Sequence, residues 1–363
     1  MRFHPGLYTG LNMAGFENKI NLLDMNEAAF CRWLERNGQK RYRFGQILKW
    51  VYLRQLDDFH QMTDISKDFR WLLDKHFCIK RLELKAEETS RDGSRKFLFR
   101  LIDGNFIESV LIPEKNHFTL CISTQVGCAM GCRFCLTAKS GLVRNLTAGE
   151  IISQVRDLSH IVHQESGGHP PLSNVVLMGM GEPLANYKNV SDALRIITDS
   201  DSGLKMSKNR VTLSTSGLIP EIDRLGMDSE VNLAVSLNAT TNTVRDYLMP
   251  INRKYNLENL LEACRRYPLR PHRRITFEYI LIRGLNDTEK DAYRLAKLLA
   301  PIRCKINLIP FNPHEGCEFQ RPDEMIVHRF QDVLLSKNYT TIIRCSKGRD
   351  ISAACGQLRV KIH

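Results

Sequence analysis

Along residues 22–38, LLDMNEAAFCRWLERNG, apolar residues recur three and four positions apart, which predicts an amphipathic helix. Asn26 suits its N-cap and Gly38 its stop. RFGQILKWVYLRQL and DISKDFRWLLDKHF follow with the same spacing, so a small helical domain is expected over residues 1–85. In RKFLFRLIDGNFIESVLIP two runs of strand character flank Asp103-Gly104, a hairpin turn signal, which predicts a β-hairpin extension over 86–118. From 119 to 363 the rhythm changes. TLCIST, NVVLMGM, RVTLSTS, VNLAVSLN, ITFEYILI and KINLIPF alternate with helical patterns such as TAGEIISQVRDLSHIVH, NVSDALRIITD and DTEKDAYRLAKLLAP. That βα alternation predicts an α/β fold with parallel strands, and six units suit a partial (β/α)6 barrel better than a closed eightfold one. Thr147 and Glu150 form a capping box for the helix that follows the first strand and its loop.

The unusual letters fall at the C-terminal ends of the expected strands. A cysteine-rich loop follows the first, Gly179-Met180-Gly181-Glu182-Pro183 the second and Ser214-Thr215-Ser216-Gly217 the third. Ser236-Leu237-Asn238 ends the fourth, and Asn312-Pro313 follows the sixth. Parallel βα barrels build their active sites from those ends.

Composition narrows the class. Hydrophobic residues make up 43% of the 363 and charged residues 25%, as in an ordinary globular protein. The N-terminal stretch has no apolar leader core, and no apolar run nears the length of a membrane span, so a cytoplasmic protein without membrane association is expected. The net charge of +12 points to a polyanionic partner, most simply nucleic acid, against the blander alternative of a solvated basic surface. Basic residues gather at 41–49, at 91–100 and at Arg265, Arg266, Arg270, His272, Arg273 and Arg274. The cysteines number 11, an odd count in a chain too large to need staples, and are expected as reduced thiols.

Cys128, Cys132 and Cys135 are spaced C-x-x-x-C-x-x-C, with Gly127 and Gly131 to turn the backbone. A structural zinc site wants four ligands, and no second pair or nearby histidine completes the set. A four-iron cluster with three protein thiolates and one open iron is the better reading, ahead of zinc and of merely packed cysteines.

With Phe134 before the last cysteine, this loop resembles the radical S-adenosylmethionine signature. QVGCAMGCRFC, RNLTAGEI, MGMGEPLANY, LSTSG, VSLNA, NLIPFNP and DISAACGQL, in that order, resemble the RlmN/Cfr family of RNA adenine methyltransferases over almost the whole chain. The resemblance implies a radical S-adenosylmethionine barrel whose Cys128, Cys132 and Cys135 bind a [4Fe-4S] cluster. It implies S-adenosylmethionine contacts at Gly181, Glu182, Ser214, Ser236, Leu237, Asn238 and Asn312. Cys355, which alone reads as a buried helix-end thiol, becomes a methyl carrier. Cys121 becomes the thiol that releases the product by attacking Cys355, and for that it should be ionised. Glu108, otherwise a solvent-side strand carboxylate, becomes a proton acceptor. The implied substrates are 23S rRNA, at an adenosine of the peptidyl transferase centre, and a tRNA anticodon-loop adenosine. The implied reaction is methylation at carbon 2.

The alternatives are a Cfr-type enzyme acting at carbon 8, another radical enzyme with the same cofactor, and a metal-containing RNA-binding protein. Cys121 and Cys355 favour the methyltransferases, since a generic radical enzyme needs neither. An RNA-binding role is expected for the helical domain, an external reductant such as flavodoxin or ferredoxin for the cluster, and a monomeric state. Eight residues follow Cys355, so little basic tail is expected to contact RNA. Cys31, Cys78, Cys264, Cys304, Cys317 and Cys345 are expected to be packing or incidental thiols.

Overall fold

The computed structural model describes residues 19–167, 169, 171–314 and 316–358. Residues 1–18, where a leader would lie, and the residues after Leu358 lie outside them. The chain forms two compact units, Met1–Arg81 and Leu82–His363. Among the described residues no helix is long and apolar enough to cross a membrane.

The first unit opens with strand β1 (Ile20–Asn21). Helices α1 (Glu27–Arg36), α2 (Arg43–Leu48) and α3 (Lys67–His76) follow, and β2 (Phe77–Cys78) pairs in parallel with β1. Asn26 caps α1 as expected, its Oδ1 accepting from Ala29 N at 2.9 Å. Gly38 breaks the chain away from α1 at φ 67°. The long helix expected after it is α2 continued as a π-helical turn over Lys49–Leu53. Phe30, Leu34, Phe69, Leu73 and Phe77 are buried between these elements, and Phe30 stacks on Trp33.

The second unit is built on one ten-stranded sheet. Its antiparallel edge is β3 (Glu83–Thr89), β4 (Arg95–Arg100) and β5 (Phe106–Pro113). Strand β6 (Phe118–Cys121) pairs antiparallel with β5, so the hairpin around Asp103-Gly104 continues into the barrel's own sheet. A side ribbon, β7 (Gln125–Gly127) and β8 (Leu142–Asn145), flanks the cysteine loop and its short helix α4 (Leu136–Lys139). The parallel run then adds β9 (Leu172–Leu177), β10 (Val211–Thr215), β11 (Asn232–Ser236), β12 (Ile275–Leu281), β13 (Cys304–Pro310) and β14 (Thr341–Ile343) beside β6. The connecting helices are α5 (Ala148–Ser166), α6 (Tyr187–Thr198), α7 (Ile219–Asp228), α8 (Asn242–Leu248), α9 (Leu257–Arg266), α10 (Glu289–Leu299) and α11 (Glu324–Ser336). All six expected βα strands are present. Strand β3 was not expected, because all seven of its residues are exposed and it carries no apolar alternation. The three-residue β14 is too short to announce itself.

Register divides the side chains between two faces. Leu213, Val235, Phe277 and Leu308 lie on the helix-covered face and are fully buried. Tyr279, on the same face, packs against Phe330 of α11. The other face carries Ser214, Ser236, Glu278 and Asn307, with Ser236, Glu278 and Asn307 in one row across β11, β12 and β13. Continued to the antiparallel side, this inner face includes Val176, Cys121, Val110 and Lys96. A polar inner face on an open sheet is a place for a ligand, not a packed core.

Candidate active site

The cysteine loop leaves β7 at Gly127, where φ is 75°. A Cβ there would lie 1.8 Å from the Gly141 carbonyl oxygen, so only glycine fits. Cys128 N donates to that same oxygen at 2.8 Å, Arg133 N donates to Leu248 O at 3.0 Å, and Cys135 N to Cys132 O at 3.1 Å. Phe134 anchors the loop in an apolar cluster with Leu248, Met249, Ile282, Phe311 and Phe319. Burial, then the charges of Cys135 and Cys128, push the Cys132 thiol well above the ordinary value. Burial pushes Cys128 up to about 12. Such thiols must lose protons to bind metal, so loading releases protons.

Among the described residues no three Cys, His, Asp or Glu side chains gather closely enough to hold a single metal ion. The three loop thiols therefore do not converge on one point. A four-iron cube, whose corners stand apart, makes no such demand, and three thiols on one glycine-turned loop fit it.

The second strand end lies against this loop. Gly181 has φ 103°, and a Cβ there would meet Gln125 at 2.6 Å. Glu182 is buried. Its N–H donates to Gln125 Oε1 at 2.8 Å, while its carboxylate accepts from Ser216 N at 2.7 Å and Leu184 N at 3.1 Å. Burial raises its pKa above the usual carboxylate range, against those hydrogen bonds.

The rim residues divide in two. Ser214 and Ser236 are half-buried on the inner face. Leu237 and Asn238 are fully enclosed, and the Asn238 side chain has structural partners. Asn238 Oδ1 accepts from Ile280 N at 2.9 Å, with the residue itself at φ 58°. Asn312 is buried; its Nδ2 reaches the Cys355 carbonyl at 3.4 Å, and its Oδ1 has no partner. Gln357 Oε1 is likewise buried without a partner. Unpaired buried polar atoms on one rim fit a polar ligand.

Cys355 is exposed, not a buried helix-end thiol. It lies beyond a 3₁₀ turn at Arg349–Ile351, on a segment laid across the cysteine loop: Leu136 N donates to Gly356 O at 2.8 Å and Thr137 Oγ1 to Leu358 O at 2.7 Å. Although open at its mouth, the site crowds this sulfur with protein. Desolvation, then the Glu278 carboxylate, pushes the thiol up to about 11, against the opposing charge of Arg344.

Cys121 lies close by, buried with Val110, Met180, Ala353 and Leu358. Burial, then Cys355, pushes its thiol far above the ordinary value. The apolar cluster around it disfavours the charged thiolate. Glu108 is also buried, at 3% exposure, where a solvent-side carboxylate was the plain alternative. Its Oε1 lies 3.5 Å from Lys96 Nζ. It shares the inner face with Val110, the register partner of Cys121.

Three charged residues here escaped the motif reading. Glu278 accepts from Asn307 Nδ2 at 2.9 Å. Lys96 lies on β4, and Arg245 on α8 is fully buried beneath the rim. Only Glu278 is a lone charge in an apolar run, the one signal that could have marked it; Lys96 follows Arg95 and Arg245 precedes Asp246. The Arg270–Arg274 stretch leads into the N-terminal end of β12, at the opposite end of the strands from this rim. There Arg273 bonds Asn232 and Asn209, and Arg274 Nη1 bonds Thr340 Oγ1 at 2.8 Å.

Residues 20–79 match a family described as the ribosomal RNA large subunit methyltransferase N-terminal domain, and residues 122–296 match the radical SAM superfamily. The chain is 56% identical over 339 residues to the dual-specificity RNA methyltransferase RlmN of Desulfosudis oleivorans, covering 93% of this chain and 90% of that one. It is 53% identical over 344 residues to the protein of the same name from Geotalea uraniireducens, covering 95% and 98%. A crystal structure of a radical SAM methyltransferase from Sphaerobacter thermophilus superposes with a TM-score of 0.86 at 42% identity, covering 94% of this chain and 99% of that one.

Proposed function

The chain belongs to the RlmN family of radical S-adenosylmethionine RNA methyltransferases, and on that premise we propose that it methylates carbon 2 of an adenosine in 23S rRNA and of an adenosine in the tRNA anticodon loop, through a methyl group carried on Cys355. It is a radical S-adenosylmethionine enzyme that uses a [4Fe-4S] cluster. The observation that carries the finer reading is the placement of Cys355: open to solvent, over the cysteine loop, with Cys121 buried beside it.

Cys128, Cys132 and Cys135 hold the cluster in this reading. Gly181, Glu182, Ser214, Ser236, Leu237, Asn238 and Asn312 border the S-adenosylmethionine, with Leu237 and Asn238 acting through backbone because their side chains are enclosed. Cluster and cofactor, when bound, supply the methyl group and the radical chemistry that an unactivated aromatic carbon requires. The protein supplies position. Asn312 steadies the Cys355 backbone. Glu108 accepts the proton that the attacked ring carbon must shed, and the electron left with that proton's loss would return to the cluster when bound. Cys121 then bonds the Cys355 sulfur. The carbon–sulfur bond breaks, its electron pair passes to carbon, and the carbon takes up a proton to become the methyl group. A dithiol reductant returns the disulfide to thiols by exchange, while an external reductant of the flavodoxin or ferredoxin class serves the cluster. Because burial holds Cys121 as a thiol, its proton must leave before the attack.

The helical domain, 1–85, binds RNA in this reading, with Arg41 and Arg43 as contacts. The hairpin of 86–118 and the barrel of 119–363 carry the chemistry. The enzyme works as a cytoplasmic monomer. The test is nucleoside mass spectrometry of 23S rRNA and tRNA incubated with the reconstituted enzyme. The expected product is 2-methyladenosine in both. Formation of 8-methyladenosine would move the enzyme to the Cfr side, and methylation of one RNA alone would remove the other substrate.

A further inference from the structure

Lys96 is a lysine with only 9% of its side chain exposed, on the inner face of β4. A buried ammonium is costly and persists only where several acceptors surround it. Its Nζ donates to the Ile351 carbonyl at 2.7 Å, lies 2.9 Å from Glu88 Oε1 and lies 3.5 Å from Glu108 Oε1. Ile351 stands on the segment that carries Cys355. Lys96 pairs with Val110 in register, and Val110 pairs with Cys121, so the cation lies in the same row of the inner face as the buried thiol.

The Cys355 segment has other moorings on this side. Ser90 Oγ bonds Asp350 Oδ1 at 2.5 Å, and Gly348 N bonds Asp92 Oδ2 at 2.7 Å. Those contacts tie the segment to the turn between β3 and β4. Lys96 differs because the same nitrogen meets both the segment and Glu108. Glu88, half-exposed, could find a partner from the surface without drawing a lysine inward.

We propose that Lys96 is a positioning residue of the methyl-transfer site, holding the Glu108 carboxylate and the Cys355 segment in one register so that proton acceptor and carrier sulfur address the same ring carbon. This rests on the roles given above to Glu108 and Cys355. Lys96 touches neither RNA nor cofactor in this account; it acts through the two groups it joins.

The test uses the reconstituted holoenzyme with Lys96→Met, Lys96→Arg, Glu88→Gln and Glu108→Gln in parallel. Iron content, methylation of Cys355 by peptide mass spectrometry, and kcat and KM for RNA are read in each. Lys96→Met is expected to keep its iron, its methylated Cys355 and its KM for RNA, and to lose about 100-fold in kcat, the scale of a small misplacement. Lys96→Arg should recover most of that loss, and Glu88→Gln should leave kcat unchanged. Wild-type kcat in Lys96→Met overturns the proposal, as does an equal loss in Glu88→Gln or a loss confined to KM. If Lys96→Met does not fold, Lys96→Gln takes its place, and full kcat in Lys96→Gln overturns the proposal equally. Full turnover by Glu108→Gln would instead break the underlying reading of Glu108, so the two failures are distinguishable.

Discussion

Arg245 Nη2 donates to the Ser216 carbonyl at 2.7 Å from a side chain with no exposure to solvent. The same guanidinium reaches Leu237 O at 3.0 Å, Ser236 O at 3.2 Å and Asn252 Oδ1 at 3.0 Å. Burial draws it down to about 10, so it remains charged at neutral pH. One buried cation thus ties the ends of two rim strands together. Arg245→Met leaves three carbonyls unpaired, each worth about 1–3 kcal/mol when buried. A loss of at least about 3 kcal/mol is expected in urea unfolding, with weaker S-adenosylmethionine binding. Wild-type stability in that variant would show that the rim does not depend on it.

The cysteine loop makes a sharper case. Replacing any of Cys128, Cys132 or Cys135 by Ala should lower iron content and abolish methylation while the protein stays soluble. Gly127→Ala retains all three thiols but sets a Cβ 1.8 Å from the Gly141 oxygen at a φ of 75°. It should lose iron almost as completely. Iron assay and visible absorption after anaerobic purification check both, and a Gly127→Ala protein with full iron would mean that the turn tolerates a side chain.

These two sites mark what the sequence could tell. The loop cysteines, Gly181 and Asn312 stand at strand ends, where apolar patterning stops and odd letters become visible. Cys355 was legible by resemblance alone, since nothing local separates it from a packed thiol. Arg245, Lys96 and Glu278 were not legible as site residues. At Glu278 a charge inside an apolar run shows that some partner exists, but the partner lies on another strand and only the register identifies it. For Glu278 that partner is Asn307, 29 positions away. Strand β3 was hidden for a different reason: wholly exposed on the sheet's edge, it has no buried face to impose a period of two.

Charge alone does not say which of the basic clusters faces RNA and which is a solvated surface. Binding should weaken with salt at a log–log slope of about −0.7 per phosphate contacted on single-stranded elements. Arg273 and Arg274 precede β12 at the end opposite the rim and already bond polar side chains of their own sheet. Reversing both charges should leave the slope unchanged, while reversing Arg41 and Arg43 in the helical domain should flatten it. Salt titrations of RNA binding decide this; the opposite pattern would exchange the two surfaces.

Cys355 is open but held near pKa 11, against an ordinary value of 9.0. Its alkylation by iodoacetamide in protein free of cluster should therefore rise about tenfold per pH unit from pH 7 to 10 and level only near 11. A thiol raised in the folded state contributes stability in full below pH 9, and that contribution disappears as pH rises through about 11. Peptide mass spectrometry of timed alkylation checks the titration. A plateau at pH 8 would mean that Glu278 and burial do not act on this sulfur.

Cys121 and Cys355 make the last prediction. Once a methylene group bridges Cys355 and the adenine ring, protein and RNA are one covalent species, and a carbon–sulfur bond must break to free them. Cys121 is buried beside the carrier segment, packed with Ala353 and Leu358. It is too deeply apolar to ionise at rest, which spares the resting enzyme a premature attack. Cys121→Ala should therefore build its cluster, methylate Cys355 and attack RNA, then stall as an adduct visible as a shifted band on a denaturing gel. Adding Cys355→Ala should abolish the band. The iron content of Cys121→Ala, unchanged, would separate this from damage to the neighbouring loop. Multiple turnover by Cys121→Ala without an adduct would return Cys121 to the status of a packed strand residue, and product release would then need another thiol.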